Sequence, residues 1–144
     1  MIAIDTNVLL RYLLWDDEVQ AQLADKLIND STLVLIPDIV LVETIWTLRG
    51  KKYKLDKAKI TSIVNTLFEE KSICFENPQI IWQTLNDYRQ AKSIKVSNKH
   101  KYADFSDALI VNRAQFYALE SKNNLEGVYT FDKAALELDG TKSP

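Results

Sequence analysis

Short apolar runs alternate along the chain with longer segments whose apolar residues recur every three or four positions. Four runs rich in β-branched residues, Ile2–Ile4, Leu33–Ile36, Ile73–Phe75 and Val128–Phe131, predict strands. None alternates strictly, which is the pattern of a parallel sheet covered on both faces. Helical spacing predicts Glu18–Ile28, with Val19, Leu23, Leu27 and Ile28 on one stripe. Pro37 opens a helix over Asp38–Leu48 that stops near Gly50, and Asp56 caps Lys57–Phe68, where Ile60, Ile63, Val64, Leu67 and Phe68 fall on one face. Asn77-Pro78 repeats the cap-then-proline signal before Gln79–Ala91, and Ala103–Ser121 carries Phe105, Leu109, Ile110 and Phe116. Strands alternating with helices predict an α/β fold with a mainly parallel sheet. One domain over residues 1–138 and a polar, frayed tail at 139–144 are expected.

Several carboxylates interrupt this pattern where a charge is uncomfortable. Asp5 ends the first strand, and Thr6 and Asn7 follow it; Asp132 ends the last, after Tyr-Thr-Phe. Glu43 lies inside IVLVETIW, with Ile39, Val40 and Trp46 as its helical neighbours and no cation three or four residues away. A charge on such a face must find a partner, shift its pKa or reach water at the edge of the stripe. Asp104 and Asp107, three residues apart near a helix start, share one face, where the helix dipole favours negative charge. Asp5, Asp104 and Asp132 also stand where helix caps stand, so each has a purely structural reading beside the chemical one.

In a parallel sheet, strand C-termini and the N-termini of the following helices share an edge. That rule would gather Asp5 and Asp132 on one side, with Glu43 and Asp107 nearby. Converging carboxylates repel in a partly dry site, and a hard divalent cation relieves them, with oxygen ligands suiting Mg²⁺ or Mn²⁺.

Charge then takes on a different meaning. The net charge of −2 argues at first against a polyanionic partner, but removing these five acids leaves +3. Other chemistries lose their residues: His100 is the only histidine, no glycine-rich phosphate loop is present, and no Cys/His cluster has zinc spacing. Cys74, the only cysteine, lies in the apolar run ICF and cannot form an intramolecular disulfide. No basic leader precedes the first apolar run, and no segment approaches a membrane span, so a cytoplasmic location is expected. Acids, metal and water point to phosphodiester hydrolysis.

The motifs IDTNVLLRYL, LVETIWTLR, ADFSDALIV and YTFDKAA, in that order over nearly the whole chain, make it similar to a PIN-domain ribonuclease. Within that group it resembles the VapC-type toxin of a bacterial or archaeal toxin–antitoxin pair. The resemblance implies a three-layer α/β/α sandwich around a mainly parallel sheet of four or five short strands. It implies catalytic acids at Asp5, Glu43, Asp107 and Asp132. All four are implied metal ligands, Asp5 and Asp107 most directly, with Asp104 as a fifth acid of less defined role. Thr6, Asn7 and Thr130 match supporting positions. One or two Mg²⁺ or Mn²⁺ ions, in-line attack by water, and products with a 5′-phosphate and a 3′-hydroxyl follow from the same resemblance. So do an RNA substrate, a VapB-like antitoxin that covers the acids, and a homodimer; a catalytically idle PIN module serving as a binding protein is the alternative.

Two basic stretches offer charge to RNA. They are Arg49–Lys54, with Arg49, Lys51 and Lys52, and Lys95–Lys101, with Lys99 and Lys101. Tyr53 and Tyr102 adjoin them as candidate stacking partners. Aspartate-based phosphatases, which carry a second Asp where this chain has Asn7, and CheY-like receivers fit the motifs less well.

Overall fold

Val34, Leu35 and Ile36 form the central strand of the one three-stranded sheet in the computed structural model, which describes residues 1–144. This strand, β2 (Val34–Ile36), pairs in parallel with β1 (Ile2–Ala3) on one side and β3 (Ile73–Phe75) on the other, Ile2 and Ile73 both facing Val34. Val34 and Ile36 are fully buried on one face and Leu35 is half-buried on the other, so both faces take apolar residues. Parallel neighbours need long crossovers. Helices α1 (Thr6–Leu14) and α2 (Glu18–Asn29) supply the first, and α3 (Asp38–Arg49) and α4 (Lys57–Glu69) the second. The Glu76 side chain, just past β3, accepts a 2.6 Å hydrogen bond from the Asp38 N–H and so caps α3.

These elements make up one of two compact units, Met1–Pro78; the other is Gln79–Pro144. In the first, α4 buries Ile60, Val64 and Leu67, and Phe68 meets Phe75 with ring centroids 4.8 Å apart. The stripe expected on α2 is a different matter. Val19, Leu23 and Leu27 are exposed, and the helix instead buries Ala21, Ala24 and Ile28. Small residues let α2 lie close against α1, so packing selected the alanine face over the more apolar one.

In the second unit, α5 (Pro78–Gln90) is followed by a hairpin of β4 (Ile94–Val96) and β5 (Lys99–Lys101), then by α6 (Phe105–Glu120). Tyr88 is its buried centre, edge-on to Phe105 and Tyr102 with centroids 6.0 and 6.1 Å away. The buried Asn112 amide donates to Asp87 at 2.8 Å and to the Ala108 carbonyl at 2.9 Å. The strand expected at 128–131 is shorter, β6 (Val128–Tyr129), and its hydrogen-bonded neighbour is β7 (Thr141–Lys142), in parallel. A single 3₁₀ turn at Ala135–Glu137 follows Asp132. Gly140, at φ +89°, turns the chain back, so the segment expected to fray is paired. The parallel sheet therefore holds three strands, and a shared-sheet argument does not extend to Asp132. No helix is long and apolar enough to cross a membrane.

Candidate active site

Asp5 is the N-cap of α1: its Oδ1 accepts from the Val8 N–H at 2.9 Å, while its other oxygen has no protein donor. One turn of backbone thus serves two ends. The cap fixes the carboxylate just beyond β1, and the helix dipole makes that position favourable for negative charge. Thr6, the first residue of α1, reaches across to α3, and its hydroxyl donates to Glu43 Oε2 at 2.6 Å. Asn7 is exposed beside them.

Glu43 is not buried among apolar residues, as its flanking sequence suggested. It is exposed, because Ile39 and Trp46, two of the neighbours expected to bury it, are themselves 64% and 76% exposed. Its surroundings are water and the Thr6 hydroxyl, not a dry apolar face. The face that α3 does bury carries Val40, Leu41, Thr44, Ile45 and Leu48.

In the second unit, Asp104 and Asp107 form a capping box at the start of α6, the Asp104 N–H donating to Asp107 Oδ2 at 2.8 Å. Both are half-buried. Asp132 Oδ1 accepts from the N–H groups of Ala134 and Ala135 at 2.8 and 3.2 Å, and the Asp132 N–H donates to Thr130 Oγ1 at 3.0 Å. Thr130 therefore steadies the backbone that carries Asp132. Each of the expected acids outside Glu43 also fills a helix or turn capping role. For Asp5 and Asp132 the structural and chemical readings do not compete, because the capping bonds fall on one carboxylate oxygen and leave the other.

In neither unit do three or more His, Cys, Asp or Glu side chains form a group that could hold a metal ion. The donor chemistry nonetheless suits a hard divalent cation. Asp5, Glu43 and Asp132 each keep one carboxylate oxygen without a protein donor, and none of them forms an ion pair. Oxygen ligands of this kind are what Mg²⁺ and Mn²⁺ select.

Beside Asp5 and Asn7 lies an open hollow of about 320 Å³, floored by Leu23, Ala24 and Leu27 of α2, with Arg11 on its wall. Arg11 was not singled out from sequence, although a lone cation within LLRYLL was the available signal. Its guanidinium donates to Asp16 Oδ1 at 2.7 Å and to Gln20 at 2.8 Å, and Tyr53 donates to the other Asp16 oxygen at 2.9 Å. The Tyr53 hydroxyl and the guanidinium hold the Asp16 carboxyl below its ordinary range, and Asp16 raises Arg11 in turn. A larger hollow of about 600 Å³, lined by Asp87, Asn112 and Glu137 among others, contains none of the expected acids.

The first basic stretch leaves Lys51 and Lys52 exposed and Arg49 half-buried in the last turn of α3. Tyr53 is already engaged, its hydroxyl on Asp16 and its ring under Lys52 at 5.2 Å. The second stretch is the β4–β5 hairpin, in which Lys99 and Lys101 are exposed.

A family model described as PIN domain matches residues 2–140. No curated protein matches the chain significantly. Domains matching this family model are generally nucleases, hydrolases that use divalent metal ions.

Proposed function

The chain belongs to the PIN domain family, and from that premise we propose that it is a metal-dependent endoribonuclease, the VapC-type toxin of a toxin–antitoxin pair. The observation that supports this reading most is the Thr6–Glu43 hydrogen bond at 2.6 Å, which links the first two acidic motifs through a side chain rather than leaving them as separate caps. Asp5 and Asp107 are assigned as the principal ligands of Mg²⁺ or Mn²⁺, one or two ions, with Asp104 as an auxiliary acid. Glu43, steadied by Thr6, and Asp132, whose loop is steadied by Thr130, are assigned to orient the attacking water or to complete the ion's ligands. Asn7 supports the Asp5 end. Once bound, the ion polarises a phosphoryl oxygen and makes water a better nucleophile. Water displaces the 3′-oxygen in line, leaving a 5′-phosphate and a 3′-hydroxyl.

Arg49, Lys51 and Lys52 are assigned to phosphate contacts, as are Lys99 and Lys101 of the hairpin. A VapB-like antitoxin would fit the hollow beside Asp5, where apolar side chains from α2 meet a carboxylate that an arginine from the partner can pair. A homodimer and a cytoplasmic location belong to the same reading.

The test is cleavage of end-labelled cellular RNA by the purified chain with Mg²⁺ or Mn²⁺, against an EDTA control. Discrete products with 5′-phosphates, absent with EDTA, support the assignment. Products with cyclic phosphates would rule out hydrolysis by direct water attack. No cleavage, combined with no metal binding, would establish the idle-module alternative.

A further inference from the structure

Between Tyr88 and Ala103 the chain has five Lys or Arg residues and no Asp or Glu. The β4–β5 hairpin occupies the middle of that interval. Its turn is built from Ser97 and Asn98, both at positive φ (50° and 64°), as a two-residue hairpin loop of the right twist requires. Register then sorts the side chains. Lys95 faces His100 across the ladder and shares one face with it alone; Ile94 faces Lys101, and Val96 faces Lys99, on the other. Ile94 and Val96 are half-buried, whereas Lys95, Lys99, His100 and Lys101 are all exposed. None of the three hairpin lysines forms an ion pair. A short antiparallel ribbon thus presents four cationic or polar nitrogen groups with no internal anion. It also lacks any Phe, Tyr or Trp between Lys92 and Lys101, so the ribbon offers a base no large aromatic platform.

Building on the ribonuclease reading, we propose that the β4–β5 hairpin is an RNA-backbone arm in which Lys95 and His100 join Lys99 and Lys101 in contacting phosphates, without reading bases. Phosphate contacts position a nucleic acid and carry no sequence information. The arm therefore supplies affinity, and target choice resides elsewhere in the chain. An acidic peptide would be attracted to the same charges, but Lys95 and His100 share their face of the hairpin with no apolar side chain of the ribbon, which favours a uniform polyanion.

The test measures binding of the full chain to fluorescein-labelled 20-nucleotide oligo(U) and oligo(A) in EDTA, so that it is read without cleavage and survives failure of the nuclease reading. The variant K95Q/K99Q/K101Q should weaken both RNAs by at least tenfold, equally, and reduce the slope of log affinity against log salt by about 2. The charge-keeping K95R/K99R/K101R should bind as the parent does, which separates lost charge from lost folding. H100Q, which removes the imidazole beside Lys95, should weaken both RNAs equally. An equal loss in K59Q/K71Q/K122Q, which removes three exposed lysines elsewhere, would overturn the proposal as a net-charge effect. A loss confined to one homopolymer would overturn it as base readout, and displacement by polyglutamate at equal charge concentration would reassign the arm to an acidic peptide.

Discussion

The Thr6 hydroxyl donates a 2.6 Å hydrogen bond to Glu43 Oε2, joining residues 37 positions apart at the start of α1 and the middle of α3. Both partners are accessible enough that the bond contributes little net stability, of order 1 kcal/mol or less. Its consequence is orientational. Thr6→Val should leave the melting temperature nearly unchanged while lowering the RNA cleavage rate about 10- to 100-fold, the usual cost of losing a group that aims a ligand. Thr6→Ser keeps the hydroxyl and should restore most of the rate. Equal rates for the Val and Ser variants would show that Glu43 needs no such support.

Asp5 allows capping and chemistry to be separated. Asn caps a helix about as well as Asp, so Asp5→Asn should melt close to the parent, whereas Asp5→Ala should lose about 1 kcal/mol. Both should abolish cleavage, because neither restores the carboxylate. Activity in Asp5→Asn with normal melting would reduce Asp5 to a cap.

The Arg11–Asp16–Tyr53 cluster gives a pH dependence with a definite sign. Asp16 is held below the ordinary carboxyl range, first by the Tyr53 hydroxyl and then by Arg11. A depressed carboxyl contributes stability that is present above its unfolded pKa of about 4 and disappears as pH falls through the lower folded value. Asp16→Asn should therefore unfold at lower urea than the parent near pH 7, and the two midpoints should converge below about pH 4. A gap that persists or widens in acid would contradict the arrangement.

Gly140 sits at φ +89°, and a Cβ there would lie 3.0 Å from Gln115 Nε2. Gly140→Ala should destabilise the chain by at least ~1 kcal/mol, read as a fall of a few degrees in melting temperature. No change would mean that the β6–β7 pairing does not contribute to global stability.

How far the fold could be read from the residues depended on whether local signals agreed with packing. Asp56 before Lys57–Phe68 gave a helix start that the structure reproduces, the carboxylate accepting from the Lys59 N–H at 2.9 Å. The runs around Val34 and Ile73 are parallel strands with one face buried and the other half-buried, which suits apolar residues at successive positions. The α2 stripe misled because periodicity ranks apolarity, whereas the close α1–α2 approach rewarded Ala21 and Ala24. Glu43 misled for a related reason, since Ile39 and Trp46 are apolar without being buried. The hairpin left a usable sign in Ser97-Asn98, flanked by alternating residues, within a run whose strongest local signal is its positive charge. Of the short β6–β7 pair, β6 fell within the run expected at Val128–Phe131, but β7 is two residues long and carries no period. The acidic motifs were legible because carboxylates at strand ends and helix starts stand out, and Thr6 was legible beside Asp5, but its bond to Glu43 and the Arg11–Asp16 pair emerged only from three-dimensional contacts.

The most direct measurement of the central claim is Mn²⁺ binding by calorimetry or paramagnetic resonance to the parent chain, Asp5→Asn and Asp107→Asn, each confirmed folded by its melting curve. The account predicts saturable binding by the parent, displaced by Mg²⁺, and severely weakened binding in both variants. Equal Mn²⁺ binding by all three proteins would contradict the assignment of Asp5 and Asp107 as ligands, and no binding by the folded parent would contradict a metal-dependent nuclease altogether.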